Sequence, residues 1–336
     1  MKKILLIYTG GTIGMKASPS TGALCPVDFA EIEREVPELK KFNATLDTLT
    51  FEPVIDSSNV SPDQWIKLVE IIEQNYTKYD GFVVLHGTDT MSFTASALSF
   101  LISGLQKPII FTGSQIPIGV LRTDGRENLI SAIEVAVDGI VKEVAIFFQN
   151  MLLRANRTTK FNSEYFNAFH SPNLPPLAEA GITIDYNEHL LWETPLIEPF
   201  AVHKDICTSV TVLKLFPGIS PEVVDSVLKT SGLRAVILES YGAGNAPTSS
   251  WFIELFQDAI RRGIVIVNVT QCAKGRVDMS LYDTGHQLLS MGIISGVDMT
   301  FEAVITKLMY LLGDKQIGAN KLMKEIKRSI RGEISE

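Results

Sequence analysis

The chain opens with Lys3-Ile4-Leu5-Leu6-Ile7, followed directly by Tyr8-Thr9-Gly10-Gly11-Thr12-Ile13-Gly14. The first stretch is a short aliphatic run, which is typical of a strand buried on both faces of a parallel sheet. The two adjacent glycines then permit a sharp turn, because glycine reaches positive φ without steric cost. Open α/β sheets bind ligands beyond the carboxyl ends of their strands, so Thr12 is expected at a binding site. We consider Thr12 a candidate nucleophile; the alternative is an ordinary turn in which Thr12 caps a helix.

Strands and helices alternate along the first 190 residues. Helices of this length between strands imply βαβ units and a mostly parallel sheet. A polar tract from Lys16 to Pro26 is typical of a mobile loop, and a short extended piece is expected around 51–55. The predicted strands are 81–85, 108–112 and 143–148, and the predicted helices are 62–76 (with Ser61 as N-cap), 91–104 and 124–138.

A second α/β unit is predicted after a proline-punctuated stretch at 191–209, which is typical of an interdomain linker. Its predicted strands are 210–216, 235–238 and 264–269, and its predicted helices are 221–230, 250–262, 301–312 and 319–330. The fold class predicted is therefore α/β: a larger N-terminal domain (1–190) with a mostly parallel, doubly wound sheet, and a smaller C-terminal α/β domain (210–336).

Composition excludes several classes of function. Hydrophobic residues make up 46% of the chain and charged residues 20%, as in a soluble globular protein. The net charge of -8 argues against nucleic acid as a partner, because phosphate binding needs clustered Lys and Arg. The apolar run at the N-terminus is too short for a secretory signal, and no segment approaches the length of a membrane span. The three cysteines, Cys25, Cys207 and Cys272, form no paired framework, so we expect reduced thiols in a cytoplasmic enzyme.

Polar side chains follow each predicted strand of the first domain. They are Thr12, Ser58, the pair Thr88-Asp89, and Ser114-Gln115. The carboxyl ends of parallel strands meet at one edge of a sheet, so these loops are expected to converge on one crevice. The alternative for the second loop is helix capping by Thr88, Asp89 or Thr90.

Lys160 lies in a polar tract after the strand at 143–148. A surface lysine is ordinarily solvated. If Lys160 is instead desolvated against Asp89 and Thr88, its ammonium can release a proton and act as a base. Thr88, Asp89 and Lys160 would then form an arrangement of nucleophile, orienting carboxylate and base.

At this point the motifs carry a family resemblance. The chain resembles the bacterial-type L-asparaginases over essentially its whole length, and most closely their cytoplasmic type I branch. The matching segments are Thr9-Gly10-Gly11-Thr12-Ile13-Gly14, Asp56-Ser57-Ser58, His86-Gly87-Thr88-Asp89-Thr90, Thr112-Gly113-Ser114-Gln115-Ile116-Pro117, Asn156-Arg157-Thr158-Thr159-Lys160, Ser171-Pro172-Asn173-Leu174-Pro175-Pro176, Tyr241-Gly242-Ala243-Gly244-Asn245, Thr270-Gln271-Cys272 and Arg331-Gly332-Glu333.

The resemblance implies hydrolysis of L-asparagine to L-aspartate and ammonia without a cofactor. It implies that Thr12 attacks the side-chain amide carbon while Thr88, Asp89 and Lys160 move protons. It also implies that Ser58 binds the substrate α-carboxylate and that Asp89 meets its α-ammonium. We place Asp56, Ser57 and Ser114 in the same substrate-binding group, and the main-chain N–H of Thr88 is a candidate donor to the oxyanion. A homodimer or a dimer of dimers is expected.

Two features of the sequence depart from the family pattern. Many members carry a tyrosine beside the nucleophile in the loop after it, but Gly22-Ala23-Leu24-Cys25-Pro26 has none. Tyr282, supplied by a neighbouring subunit, is our candidate for that hydroxyl; packing of Tyr282 at a domain or subunit contact is the alternative. Asn245 is likewise expected to reach a neighbouring subunit's site.

The second departure concerns an effector site that some type I enzymes have near their Thr-Gln-Cys segment. Here the candidate residues are Glu239, Ser240, Tyr241 and Cys272. Glu239 stands where a basic residue is expected, and its charge would repel the effector's carboxylate. We therefore predict weak or absent cooperativity, with Cys272 as a small buried residue.

The remaining polar groups receive structural interpretations. His86 is expected to be hydrogen-bonded in the interior. The other histidines share no ligand spacing, so no metal is implied. Arg122, Asp124 and Arg126 are expected to form a solvated or helix-starting charge cluster.

Two other classes of function fit the sequence less well. A nucleotide-binding oxidoreductase is disfavoured because Gly10, Gly11 and Gly14 do not make a G-x-G-x-x-G motif. The asparaginase-like subunit of a tRNA-dependent amidotransferase would carry an extra N-terminal domain, whereas Thr12 lies almost at the start of this sequence.

Overall fold

The computed structural model describes residues 1–17, 24–26, 29–193 and 197–335. The chain forms two compact units. The first comprises residues 1–171 and 175–204, and the second comprises 172–174 and 205–336. The segment from 191 to 209 that we predicted as a linker includes a short strand of the first unit, which pairs with residues 102–103. The domain limits taken from the sequence remain predictions.

The first unit is built around an eight-stranded sheet in the order β13-β12-β9-β8-β7-β5-β1-β4. The strands of this unit are β1 (Lys2–Tyr8), β2 (Met15–Ala17), β3 (Leu24–Pro26), β4 (Ala44–Thr50), β5 (Gly81–Leu85), β6 (Ile102–Ser103), β7 (Ile109–Thr112), β8 (Val144–Phe148), β9 (Met151–Arg154), β10 (Thr159–Lys160), β11 (Phe169–His170), β12 (Ala178–Ala180), β13 (Ile184–Tyr186) and β14 (Ala201–Val202). Its helices are α1 (Phe29–Glu35), α2 (Pro62–Asn75), α3 (Met91–Leu101) and α4 (Gly125–Asp138).

The parallel centre of this sheet explains where the polar loops lie. Strands β5, β7 and β8 are buried along their whole length, as aliphatic runs covered on both faces should be. Tyr8 is in register with Leu85, and Leu85 is in register with Thr112. Because these last strand residues lie level, the loops that follow them leave the sheet at one edge. The predicted α/β fold with a large N-terminal sheet domain is confirmed.

Several predictions about individual elements were wrong. The extended piece expected at 51–55 is not a strand; the edge strand lies earlier, at β4, whose half-exposed side chains lack the apolar signal of a central strand. Strands β9, β12 and β13 were missed, and they pair antiparallel. The turn between β8 and β9 places Gln149 and Asn150 at positive φ, a conformation usually marked by glycine. The tract at 16–26 contains the paired strands β2 and β3, and its residues 18–23 lie outside the described residues.

The second unit contains a four-stranded parallel sheet in the order β15-β16-β17-β18. Its strands are β15 (Val210–Lys214), β16 (Ala235–Ser240), β17 (Val265–Thr270) and β18 (Ile294–Ser295). Its helices are α5 (Pro221–Leu228), α6 (Ser250–Arg261), α7 (Asp283–Met291), α8 (Phe301–Gly313) and α9 (Ala319–Lys327).

Alternation along β16 divides the core of this unit in two. Val236 and Leu238 pack with Phe252 and Phe256 of α6, whereas Ala235 and Ile237 pack with apolar residues of α8 and α9. Successive side chains of a strand point to opposite faces, so each face of the sheet acquires its own helix layer. Helices α1 and α7 were not predicted, and α3 ends at Leu101 rather than at residue 104.

Candidate active site

The loop that carries Thr12 is in close contact with two neighbouring strand-end loops. A Cβ placed on Gly10 would lie 2.1 Å from the carbonyl oxygen of Ile55. A Cβ on Gly11 would lie 2.5 Å from Cα of Gly87. Gly11 also adopts φ 94 and ψ 169, a region open essentially only to glycine. The absence of side chains at both positions therefore allows the loops after β1, β4 and β5 to meet.

Thr12 itself begins a short 3₁₀ turn that ends at Gly14. The hydroxyl of Tyr8 donates a hydrogen bond of 2.9 Å to the carbonyl oxygen of Gly14. This bond connects the last residue of β1 to the last residue of the turn. Burial raises the pKa of Tyr8 to about 12, and the phenol therefore remains a donor at any physiological pH. Ile13 is buried, whereas Thr12 remains partly accessible.

Thr88, Asp89 and Lys160 form one hydrogen-bonded group; the catalytic roles expected of them remain predictions. The ammonium of Lys160 lies 2.8 Å from Thr88 Oγ1 and 2.6 Å from Asp89 Oδ1. The Lys160 side chain is only 19% exposed, whereas that of Asp89 is 64% exposed. Thr88 is 8% exposed. The arrangement holds a cation between a buried hydroxyl and a carboxylate that still faces solvent.

The loop after β7 supports Thr88 from another side. The hydroxyl of Thr88 donates to Oε1 of Gln115 at 3.2 Å. The main-chain N–H groups of Gln115 and Ile116 donate to the carboxylate of Asp124. Burial raises the pKa of Asp124, while those N–H donors act in the opposite direction. Asp124 is buried, braces the loop and occupies the N-cap position of α4. Of our two expectations for this residue, the solvated position was wrong and the helix-starting position is confirmed.

The segment 56–58 presents a turn stabilised by its own side chains. Oδ1 of Asp56 accepts hydrogen bonds from both the main-chain N–H and the hydroxyl of Ser58, at 3.0 and 2.9 Å. Ser57 is buried beneath Gly87, and its carbonyl oxygen accepts a hydrogen bond of 2.7 Å from Thr90. Thr90 thus ties two loops together, and its side chain does not cap α3 as the alternative interpretation supposed.

Ser114 is brought close to the turn of Thr12 but lies in the interior. It is 1% exposed, and Oγ has no hydrogen-bond partner among the described residues. A Cβ placed on Gly125 would lie 3.1 Å from Cβ of Ser114 and 3.3 Å from Cγ1 of Ile13, so both pack around that glycine. Direct substrate binding by the Ser114 hydroxyl remains a prediction.

The second unit holds the predicted site residues Asn245 and Tyr282. Oδ1 of Asn245 accepts a hydrogen bond of 2.7 Å from the hydroxyl of Thr284, in the first turn of α7. Tyr282 is the N-cap residue of this helix and is 58% exposed. Their contribution to a neighbouring subunit's site remains a prediction.

The candidate effector residues lie at the ends of β16 and β17. The carboxylate of Glu239 pairs with Lys214 at 3.4 Å. Ser240 is buried, and its hydroxyl donates to the carbonyl oxygen of Val269. Tyr241 forms a backbone bridge with Asn245. Cys272 is exposed, so our expectation of a small buried residue was wrong.

Among the described residues, no cluster of three or more His, Cys, Asp or Glu side chains could hold a metal ion. A helix long and apolar enough to cross a membrane is likewise absent from the described ranges.

Two protein-family models match the chain, one over most of each unit. Residues 3–192 match the family model for the N-terminal domain of asparaginase, and residues 209–324 match that for the glutaminase/asparaginase C-terminal domain. The chain belongs to the asparaginase family. It is therefore an enzyme of the amidohydrolase class, and its recognition from the motifs is confirmed.

Members of this family resemble the chain over its full length. L-asparaginase 1 of Escherichia coli K12 is 45% identical over 342 residues, which cover 99% of this chain and 98% of that protein. L-asparaginase I of Vibrio cholerae is 40% identical, with a TM-score of 0.91 and coverage of 100% of this chain and 99% of that one. The thermostable L-asparaginase of Thermococcus kodakarensis is 30% identical, also with a TM-score of 0.91, and covers 99% of both chains.

Several residues around this family site escaped sequence reasoning. In the sequence Tyr8 is the last residue of an apolar strand. Its position immediately before the glycine turn was the one signal that it could support the turn of Thr12. Gln115 was noted beside Ser114, but its contact with Thr88 spans 27 residues of sequence. Trp65 and Thr94 lie on helices and carried no signal of a relation to the site.

Proposed function

We propose that this asparaginase hydrolyses L-asparagine to L-aspartate and ammonia through an acyl-enzyme on Thr12. The observation that carries the proposal is the hydrogen-bonded group of Thr88, Asp89 and Lys160. Thr88 and Asp89 lie on the loop whose Gly87 is in contact with Gly11, next to Thr12. A hydroxyl, a cation and an accessible carboxylate at one sheet edge are the groups that amide hydrolysis of a zwitterion requires.

The reaction proceeds in two steps. In the first, the Thr12 oxygen bonds to the side-chain amide carbon, and the C–N bond breaks as the departing nitrogen takes up a proton to leave as ammonia. In the second, water adds to the ester carbon and the ester C–O bond breaks, which returns the Thr12 hydroxyl and releases aspartate. The Thr88–Lys160 pair carries the protons in both steps, and the main-chain N–H of Thr88 binds the oxygen that becomes negative.

Substrate recognition follows from the charges near this group. The exposed carboxylate of Asp89 attracts the substrate α-ammonium, and Asp56 adds a second negative charge. Ser58 binds the α-carboxylate through its hydroxyl, which must turn away from Asp56 to do so. A site that binds both an α-ammonium and an α-carboxylate favours free asparagine over an asparagine residue within a polypeptide, because that residue carries neither charge.

The test is ammonia release from L-asparagine by the purified protein without ATP or a partner protein. Thr12→Ala should abolish the activity. Thr88→Val and Lys160→Met should lower kcat by roughly 10²- to 10⁴-fold, the range for general acid–base groups. Lys229→Met is the matched control, because within the described residues the ammonium of Lys229 forms an ion pair with Asp225 of α5 alone, at the surface. Full activity in Thr12→Ala, or none in the wild-type protein, would refute the proposal.

We also propose that the protein acts in the cytoplasm as a homodimer or a dimer of dimers. In this arrangement Asn245 and Tyr282 of one subunit approach the site of its partner, where the Tyr282 hydroxyl contacts Thr12. Light scattering measures the mass in solution, and a monomer at working concentration would contradict the assembly. Tyr282→Phe should lower turnover strongly, whereas unchanged kinetics would remove this residue from the site. Cell fractionation tests the location.

We further propose weak or absent cooperativity with asparagine. Glu239 places a negative charge beside Ser240 and Tyr241. Its partner Lys214 is largely exposed and lies 3.4 Å away, so this surface ion pair offsets the charge of Glu239 only weakly. An effector carboxylate would meet repulsion there. A hyperbolic rate curve is expected, and a sigmoidal one would count against this proposal.

A further inference from the structure

Three buried side chains form a hydrogen-bonded chain behind the loop that carries Thr88. Nε1 of Trp65, in α2, donates to Thr94 Oγ1 at 3.1 Å. Thr94, in α3, lies 3.0 Å from Nε2 of His86. Nδ1 of His86 lies 2.7 Å from the carbonyl oxygen of Gly87. The mechanism proposed above uses none of these three side chains.

The donors and acceptors allow only one direction along this chain. A carbonyl oxygen is an acceptor only, so Nδ1 of His86 carries the proton that bonds to Gly87. In the neutral imidazole Nε2 is then an acceptor, and the Thr94 hydroxyl donates to it. The Trp65 indole is a donor only, and it supplies the bond that Thr94 accepts. Every group in the chain is satisfied with His86 neutral.

Burial keeps His86 in that state. The imidazole is 2% exposed, and burial lowers its pKa to about 4, below the usual 6.5. Its ring also packs against Phe111, with 6.0 Å between the ring centres. At neutral pH the ring therefore has one tautomer, with its single proton directed at the Gly87 carbonyl.

The Gly87 carbonyl fixes the direction of the Thr88 N–H. The peptide bond between residues 87 and 88 is trans, so its carbonyl and N–H point in opposite directions. Drawing the carbonyl to the buried imidazole turns the N–H to the opposite side. Within the described part of the chain no acceptor pairs with this N–H, which leaves it available to a ligand.

Close packing prevents Gly87 from shifting as a whole. A Cβ on Gly87 would lie 2.5 Å from Oγ of Ser57, and its Cα lies beside Gly11. A Cβ on Gly113 would lie 2.4 Å from the carbonyl oxygen of His86. These contacts restrict translation of the loop, so rotation of the 87–88 peptide is the freedom that remains, and His86 restrains it.

We infer that Trp65, Thr94 and His86 are positioning residues that hold the Thr88 N–H in the orientation that binds the oxyanion. This inference rests on the proposed function, because it concerns the donor that stabilises the developing charge. An oriented donor contributes most where charge has developed, so its loss should lower kcat and leave KM nearly unchanged.

The experiment compares two amides at position 86. The amide nitrogen of His86→Asn can occupy roughly the place of Nδ1 and still donate to Gly87, whereas that of His86→Gln lies near the place of Nε2. His86→Gln should therefore lower kcat for asparagine by about 10- to 100-fold, somewhat less than removal of an oxyanion donor itself. His86→Asn should recover most of that loss. Both should bind L-aspartate as the wild type does.

Thr94→Val and Ser99→Ala provide a second pair, on the same helix. Thr94→Val removes the hydroxyl that fixes the His86 tautomer, and it should lower kcat several-fold with KM unchanged. Ser99 is also a buried hydroxyl of α3, but it donates to the carbonyl of Ala95 within the helix. Ser99→Ala should change the thermal midpoint slightly and leave kcat unaltered.

Defined results would overturn the inference. They are equal kcat values for the Asn and Gln variants, a change confined to KM, or an unaltered kcat in Thr94→Val. If the His86 variants do not fold, the comparison of Thr94→Val with Ser99→Ala decides. Failure of the proposed function itself is distinguishable, since wild-type protein would then release no ammonia or Thr12→Ala would remain active.

Discussion

At the scale of single residues, burial decides what each polar group can do. Lys160 and Asp89 form one ion pair, yet the ammonium is mostly enclosed and the carboxylate faces solvent. The enclosed Lys160 is suited to proton transfer, and the accessible Asp89 is suited to binding a cationic group. His86 follows the same rule with the opposite outcome, because full enclosure without a charged partner keeps it neutral.

The lowered pKa of His86 predicts a loss of stability in acid. Between pH 6.5 and about 4 the unfolded chain binds a proton at this site and the folded chain does not. The free energy of unfolding therefore falls as the pH falls through this window, by up to about 3 kcal/mol. Calorimetry at pH 7.0 and 4.5 should show a stability difference between wild type and His86→Gln that shrinks in acid. A difference independent of pH would contradict the assignment.

At the scale of elements, the strand ends and the glycines after them create the site. Central strands were predicted from the sequence because their apolar runs are uninterrupted, as expected for strands buried on both faces. Edge strand β4 and the hairpin of β8 and β9 could not, since half-exposed strands and a Gln149–Asn150 turn lack strong local signals. The convergence of the loops after the central strands could be predicted, because the carboxyl ends of parallel strands meet at one edge of the sheet.

Because Gly11 is in contact with Gly87, adding a methyl group to Gly11 should strongly reduce both stability and activity. Gly11→Ala puts Cβ within 2.5 Å of main-chain atoms, in a conformation that alanine rarely adopts. The backbone must move, so both the thermal midpoint and the activity should fall sharply. Gly218→Ala is the matched control: φ is 96° there, but no atom lies within 4 Å of the added Cβ. Only the conformational cost of about 1–2 kcal/mol should remain in the control. Similar effects of the two changes would argue against close contact of the loops.

At the scale of the whole molecule, a buried ion pair fixes the C-terminal segment to the second unit. In the second unit the ammonium of Lys307, in α8, lies 2.6 Å from the carboxylate of Glu333 near the C-terminus, and both side chains are buried. Lys307 also donates to the carbonyl oxygens of Ile326 and Arg328. Burial lowers the pKa of Lys307, while the charge of Glu333 acts against that shift. The pair therefore attaches the C-terminal segment to the helix layer.

Removing one partner of this pair should cost more than removing the charges of both. Lys307→Met leaves a buried carboxylate without its cation, which typically costs about 3–5 kcal/mol. Combining it with Glu333→Gln should recover part of that loss, because the remaining amide is neutral. Thermal unfolding of both single variants and the double variant measures the coupling. A double variant with the summed loss of the singles would show that the two side chains do not interact.

The sequence by itself determined the α/β fold class, the positions of the central strands along the chain, and the family. It also raised the hypothesis that Lys160 lies against Thr88 and Asp89. Apolar runs and glycine turns are local signals, and parallel topology then brings distant loops to one edge. Only the tertiary structure decided which polar groups are enclosed. It buried Asp124, exposed Cys272, and directed Trp65 and Thr94 toward His86. The physical reason is that desolvation and hydrogen-bond direction depend on neighbours far away in the chain, which no local pattern records.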